Sequence, residues 1–195
     1  MTSAPATHWN HLAIILVLLF TGCDRTSRAV STQVVDLADE FDRAERRPPA
    51  GFDVTVHVVD GIARPAIVMP VPGRAIWSLR VPRNGVLRTF VALENSGESG
   101  LGVRFRLGIS DHRVSETLAT RTLTKERGWT ELAADLSAFA GFKWSLFYRP
   151  DEITWRILLA TDDLGNARTR ALWGSPEILT DAQSARDYQK QREVR

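Results

Sequence analysis

From residue 52 onward the chain alternates. In FDVTVHVV (52–59), Phe52, Val54, Val56 and Val58 fall on one side and Asp53, Thr55, His57 and Val59 on the other, which is the period of a strand with one buried face. The same period, or a bulky β-branched run bounded by Pro or Gly, recurs in ARPAIVMPV after Gly61, RAIWSLRV (74–81), VLRTFVALE (86–94), GVRFRLGIS (102–110) and SETLATRTL (115–123). It continues in WTELAADL (129–136), FKWSLFY (142–148), ITWRILLAT (153–161) and RALWGSPEIL (170–179). GVRFRLGIS is the clearest of these, with Val103, Phe105, Leu107 and Ile109 on one face and Arg104, Arg106 and Gly108 on the other. Gly, Ser and Asn in ENSGESGLG (94–102) suit a loop. No long 3.6-residue period and no strand–helix alternation interrupt the series, so the pattern predicts an all-β fold, an antiparallel sandwich occupying residues 34–179 as one domain.

The flanks read differently. Residues 34–47 are ambiguous: Val34, Val35, Leu37, Ala38 and Phe41 fit a short strand entering a helix, Asp42 to Arg47 must be exposed, and Pro48 and Pro49 stop any helix. The charged stretch 180–195 has good helix formers and almost no apolar face, so a solvated helix or a disordered tail is expected. Residues 23–33 are small and polar, as in a tether.

Leu12 to Phe20 is the one long apolar run, nine residues without charge. A membrane-spanning helix needs roughly 20, so the run fits the hydrophobic region of a secretory signal closed by the small residues Thr21 and Gly22. Phe20, Thr21, Gly22 and Cys23 together resemble the lipobox of bacterial lipoproteins. That resemblance implies a signal peptide at 1–22, a Cys23 diacylated on sulfur, and a chain held to a membrane of the cell envelope through its N-terminal lipid, facing the periplasm. Asp24 resembles the signal that retains such proteins at the inner membrane. An ordinary signal peptide and a short uncut anchor are the other readings of the run.

Charge and cysteine content narrow the rest. Cys23 is the only cysteine, so the domain must hold together without disulfides. Twenty-five Lys and Arg against 23 Asp and Glu give a net charge of +2, too little to predict a nucleic-acid partner.

Trp129 followed by Asp135, Leu136, Ser137 and Gly141, then Trp173-Gly174 and Pro176 in the last strand, are similar to the galactose-binding-like jelly roll, a β-sandwich class that includes carbohydrate-binding modules. Segment 74–94 fits an earlier strand pair of that fold. The resemblance implies a jelly-roll-like sandwich that binds a ligand without catalysis, glycan first, with another envelope protein as the alternative partner. Each residue also has a structural reading. Asp135 and Ser137 would bond nearby backbone in a tight turn, Trp129 and Trp173 would pack between sheets, and Pro176 marks an edge or a bulge.

Candidate chemistry is sparse. Two of the four histidines, His8 and His11, lie in the signal and the others are His57 and His112; with no cysteine pair and no HExxH, a zinc site is not expected. Asp162 and Asp163 in TDDLGN form the best oxygen cluster for a structural calcium. Ser110-Asp111-His112 are neighbours in sequence, whereas a catalytic triad converges from different elements; Asp111 and His112 fit a ligand rim better. The aromatic-rich segment FKWSLFYRPDEITW offers Trp144, Tyr148 and Trp155 as a sugar platform, with Arg149 to bond hydroxyls.

Overall fold

The computed structural model describes residues 31–94, 102–111, 115–124, 128–140, 154–165 and 169–193. Its strands are β1 (Thr32–Asp36), β2 (Glu45–Arg47), β3 (Asp53–Val59), β4 (Ile62–Met69), β5 (Gly73–Leu79), β6 (Val86–Leu93), β7 (Val103–Ser110), β8 (Ser115–Leu123), β9 (Thr130–Asp135), β10 (Trp155–Asp163) and β11 (Ala171–Thr180). One helix, α1 (Ala182–Glu193), follows. The larger sheet runs β3-β4-β11-β6-β9, with β1 also on β11; the smaller runs β2-β5-β10-β7-β8. Every pairing is antiparallel. From β4 to β7 and again from β9 to β11 the chain passes between the two sheets, which is the jelly-roll sandwich. Residues 34–47 contain no helix beyond a single 3-10 turn, Phe41–Arg43, between β1 and β2.

Alternation builds the core. Val103, Phe105, Leu107 and Ile109 of β7, and Ile157 and Leu159 of β10, are at most 1 % exposed, and they face Ile67, Met69, Leu87, Val91 and Trp173 of the larger sheet within one cluster. Trp173 meets Phe105 edge-on with ring centroids 5.1 Å apart. Pro176 does mark a bulge. The register between β11 and β6 slips between Gly174 and Glu177, where Ser175 takes φ +44°, and β11 then changes partner on its other edge. Residues 171–174 pair with β4, and the segment after the bulge pairs with β1.

Two tryptophans expected between the sheets have separate fates. Trp173 is there. Trp129 lies outside, on the outer face of the larger sheet, packed on Val59, Val68, Ala92 and Leu172 and donating its indole N–H to the carbonyl of Ile62 at 2.8 Å. Gly174 makes room for it, since a Cβ there would stand 2.8 Å from the Trp129 ring. The turn reading of Asp135 holds: its carboxylate accepts the Ser137 backbone N–H at 2.8 Å, and bonding from Ser137 lowers its pKa.

The valines of β3 depart from expectation. Val54, Val56 and Val58, the side read as core-facing, are 40, 64 and 66 % exposed. β4 pairs with β11 only through Ala66–Met69, so the remainder of the β3–β4 hairpin, turned at Asp60-Gly61 with φ +50° and +74°, extends past its support. Period two marks a strand, but it does not guarantee a second sheet opposite.

Helix α1 is docked, not a solvated tail. Ala185 and Tyr188 are buried, and the Tyr188 hydroxyl donates to the carbonyl of Arg80 at 3.3 Å. Asp181 caps the helix, accepting the backbone N–H groups of Gln183 at 3.0 Å and Ser184 at 2.9 Å, the Asn84 amide at 2.9 Å and the Ser184 hydroxyl at 2.8 Å. These donors, the Ser184 N–H foremost, hold the Asp181 carboxyl well below the usual carboxylate range. A pKa depressed in the folded state stabilises above its unfolded value and loses that contribution as pH falls toward the folded value. Acid titration followed by circular dichroism is expected to be flat from pH 7 to 5 and to fall below about pH 4. Asp181→Asn, which keeps acceptors but does not titrate, should fall less steeply. Equal acid slopes for the two proteins would show that the cap is not what titrates.

Candidate functional site

The outer face of the smaller sheet is built by the positions that the core leaves over. Register places Arg47 of β2 directly opposite Arg74 of β5, Arg74 opposite Ala160 of β10, and Ala160 opposite Arg106 of β7. One row across four strands therefore reads Arg47, Arg74, Ala160, Arg106. The next row is Glu45, Ile76, Leu158, Gly108. Gly108 leaves space for Leu158, whose Cδ2 would stand 3.2 Å from a Cβ at that position.

Ala160 is small and almost fully buried, and side chains rise on both sides of it. The result is an open cleft of about 290 Å³ lined by Arg47, Pro48, Pro72, Arg74, Arg106 and Asp162, among others. One wall is the turn entering β5. The Thr161 hydroxyl holds it by donating to the carbonyl of Pro70 at 3.0 Å, and Gly73 approaches so closely that a Cβ would fall 2.4 Å from the Pro70 carbonyl oxygen.

The charges are unevenly satisfied. Arg106 reaches the Asp162 carboxylate through Nε at 2.8 Å and Nη2 at 3.0 Å. Glu45 lies between Arg47, whose Nε donates at 2.7 Å, and Arg156, and its carboxyl is held below the usual range by bonding and charge from Arg47 first and Arg156 after it. Arg74 has no hydrogen-bond or ion-pair partner among the described residues. It stands exposed, opposite a like charge, a cross-strand arrangement that opposes stability. None of the outward positions on β2, β5, β7 and β10 carries an aromatic ring.

The residues expected from sequence fall elsewhere. Cys23, Trp144, Tyr148, Arg149 and His112 lie outside the described residues. Asp111 follows β7 and is partly exposed. Trp155 is 7 % exposed and packs edge-on against Phe139 at 5.1 Å; it points into the sandwich because it shares the inward parity of Ile157 and Leu159, and so is not part of an exposed platform. Asp162 and Asp163, expected as an oxygen pair for calcium, have separate partners. Adjacent strand residues point to opposite faces, Asp162 is taken by Arg106, and Asp163 accepts the Gly165 N–H at 2.8 Å. No cluster of three or more metal-ligating side chains occurs among the described residues. The arginines of the cleft were missed, although Arg104 and Arg106 at alternate positions of an otherwise apolar strand were a usable signal.

No family model and no curated protein matches the chain in sequence. In three dimensions it is similar to the M60 catalytic domain with the CBM51-1 and CBM51-2 domains of Clostridium perfringens ZmpB, with TM-score 0.50 and 12 % identity over 75 % of this chain and 15 % of that one. It is similar also to CBM51-2 in complex with GlcNAc and the INT domains of the same protein, with TM-score 0.50 and 14 % identity over 76 % of this chain and 32 % of that one. What is shared is the fold. The chain spans less than a third of the length of either neighbour. At the level of the sandwich, the expectation drawn from Trp129, Asp135 and the last strand is met.

Proposed function

We propose that this chain is a non-catalytic glycan-binding module of an envelope lipoprotein, acylated at Cys23, facing the periplasm, and taking its saccharide in the cleft between Arg47, Arg74 and Arg106. The observation that carries the reading is that cleft: about 290 Å³, open, and rimmed by hydrogen-bond donors, on a sandwich shaped like CBM51 domains, one of them in complex with GlcNAc. Ligand sites begin at about 300 Å³, so the cleft suits one sugar unit of a longer chain. Fold alone does not assign a ligand; the donors around the cleft support this one.

The expected result is binding of the full chain to at least one saccharide class on a glycan array, and an acylated Cys23 by mass spectrometry. A blank array would sink the glycan role, and an unmodified cysteine would sink the anchor, independently. The exposed edge strand β3, with Val54, Val56 and Val58 on its surface, favours a second reading in which another envelope protein adds a strand there. A blank array together with capture of one envelope protein, lost in Val56→Lys, would select it.

A further inference from the structure

We infer that the cleft on the smaller sheet selects an anionic saccharide, one carrying a carboxylate or a sulfate ester, with Arg74 as the residue that meets the charge. The inference rests on the glycan-binding reading and deepens it.

Three observations lead there. Of the charged side chains lining the cleft, Arg47, Arg74 and Arg106 are cations and Asp162 alone is an anion. Asp162 is already engaged by Arg106 and Glu45 by Arg47 and Arg156, so the neighbouring carboxylates are spent while Arg74 keeps its whole donor fork. Arg74 also sits directly opposite Arg47, a repulsion that an arriving anion relieves. A guanidinium presents parallel N–H donors that match the two oxygens of a carboxylate or sulfate.

The composition of the face points the same way. A neutral sugar is commonly gripped by stacking its ring on an aromatic side chain, and the outward positions here offer Ile76, Leu158 and Ala160 instead. Of these only Ala160 lies within the cleft, with Ile76 and Leu158 in the row beside it, so the floor gives a sugar ring little orientation. Direction must then come from charge-assisted hydrogen bonds, which are worth roughly twice a neutral one. The wall formed by Pro72 and Gly73, tied down by Thr161, leaves the guanidinium of Arg74 as the side chain free to close on the ligand.

The test is calorimetric titration of the full chain in detergent with tetragalacturonate and with dextran sulfate, each against its neutral counterpart, the methyl ester and plain dextran. At least one acid should bind about tenfold or more tightly than its neutral partner and weaken as salt is raised. Arg74→Ala should lose that preference while the domain still unfolds cooperatively, at a melting temperature no lower than the parent's, and Arg74→Lys should recover it only in part. Equal affinity for acid and neutral forms, or an unaltered preference in Arg74→Ala, overturns the inference but leaves the glycan role standing. Silence from all four saccharides, with Arg74-dependent retention on phosphatidylglycerol vesicles, overturns the inference in favour of a lipid headgroup, and the glycan role then falls only with a blank array.

Discussion

Trp173→Ala is expected to cost about 3–5 kcal/mol, a large share of the roughly 5–15 kcal/mol that holds a domain of this size together. Trp173 is fully buried, its ring meets Phe105 at 5.1 Å, and it comes from the strand on which β4 and β6 both pair. Neither sheet can move in to fill the space without losing that pairing. Urea unfolding of the variant should show a midpoint far below that of the parent, or no cooperative transition at all. Trp173→Phe sharpens the test. The indole N–H has no hydrogen-bond partner among the described residues, so removing it abolishes a desolvation cost of about 1–3 kcal/mol and offsets part of the lost volume. The phenylalanine variant should be much closer to the parent than the alanine variant; equal losses would mean that the ring contributes nothing by its bulk.

The second large effect is backbone, not side chain. Gly102 enters β7 at φ +98°, and a Cβ on it would stand 2.3 Å from the carbonyl oxygen of Leu123 on the neighbouring β8. Its own carbonyl accepts the N–H of Leu164 at 3.1 Å, which fixes the residue from the other side. Gly102→Ala therefore meets both an unfavourable dihedral and a backbone clash, each of about 1–3 kcal/mol, together roughly 2–6 kcal/mol. Chemical denaturation checks it, and amide exchange should show the β7–β8 pairing opening first. An alanine variant within 1 kcal/mol of the parent would rule out this geometry.

Much of the architecture was legible, because strands with one wet face announce themselves by parity. Val103, Phe105, Leu107 and Ile109 could be assigned inward from sequence, and Pro176 was readable as a bulge because a proline cannot donate to a ladder. What parity lacks is the third dimension. It assigned Val54, Val56 and Val58 to the core because nothing local says that β4 does not meet β11 until Ala66. Tyr188 and Ala185 were too few to mark an apolar helix face, yet they dock α1. The cleft was the least visible feature. Arg47, Arg74, Arg106 and Asp162 are far apart in the chain and become neighbours only through the order β2-β5-β10-β7, which alternation does not encode. The aromatic segment drew attention because tryptophan is conspicuous, and one of its members, Trp155, proved to be core.

The shared edge of β11 imposes an order of assembly. As the chain emerges from a ribosome, β3 with β4 and β6 with β9 can associate as separate pieces, and β1 has no partner to find. All of them await residues 171–180, the last strand of the sandwich to be made, whose kink at Ser175 lets one edge serve β4 and β1 in turn. Until then the larger sheet stays divided, and an interruption of synthesis before that strand leaves its β3–β4 and β6–β9 pairs unjoined.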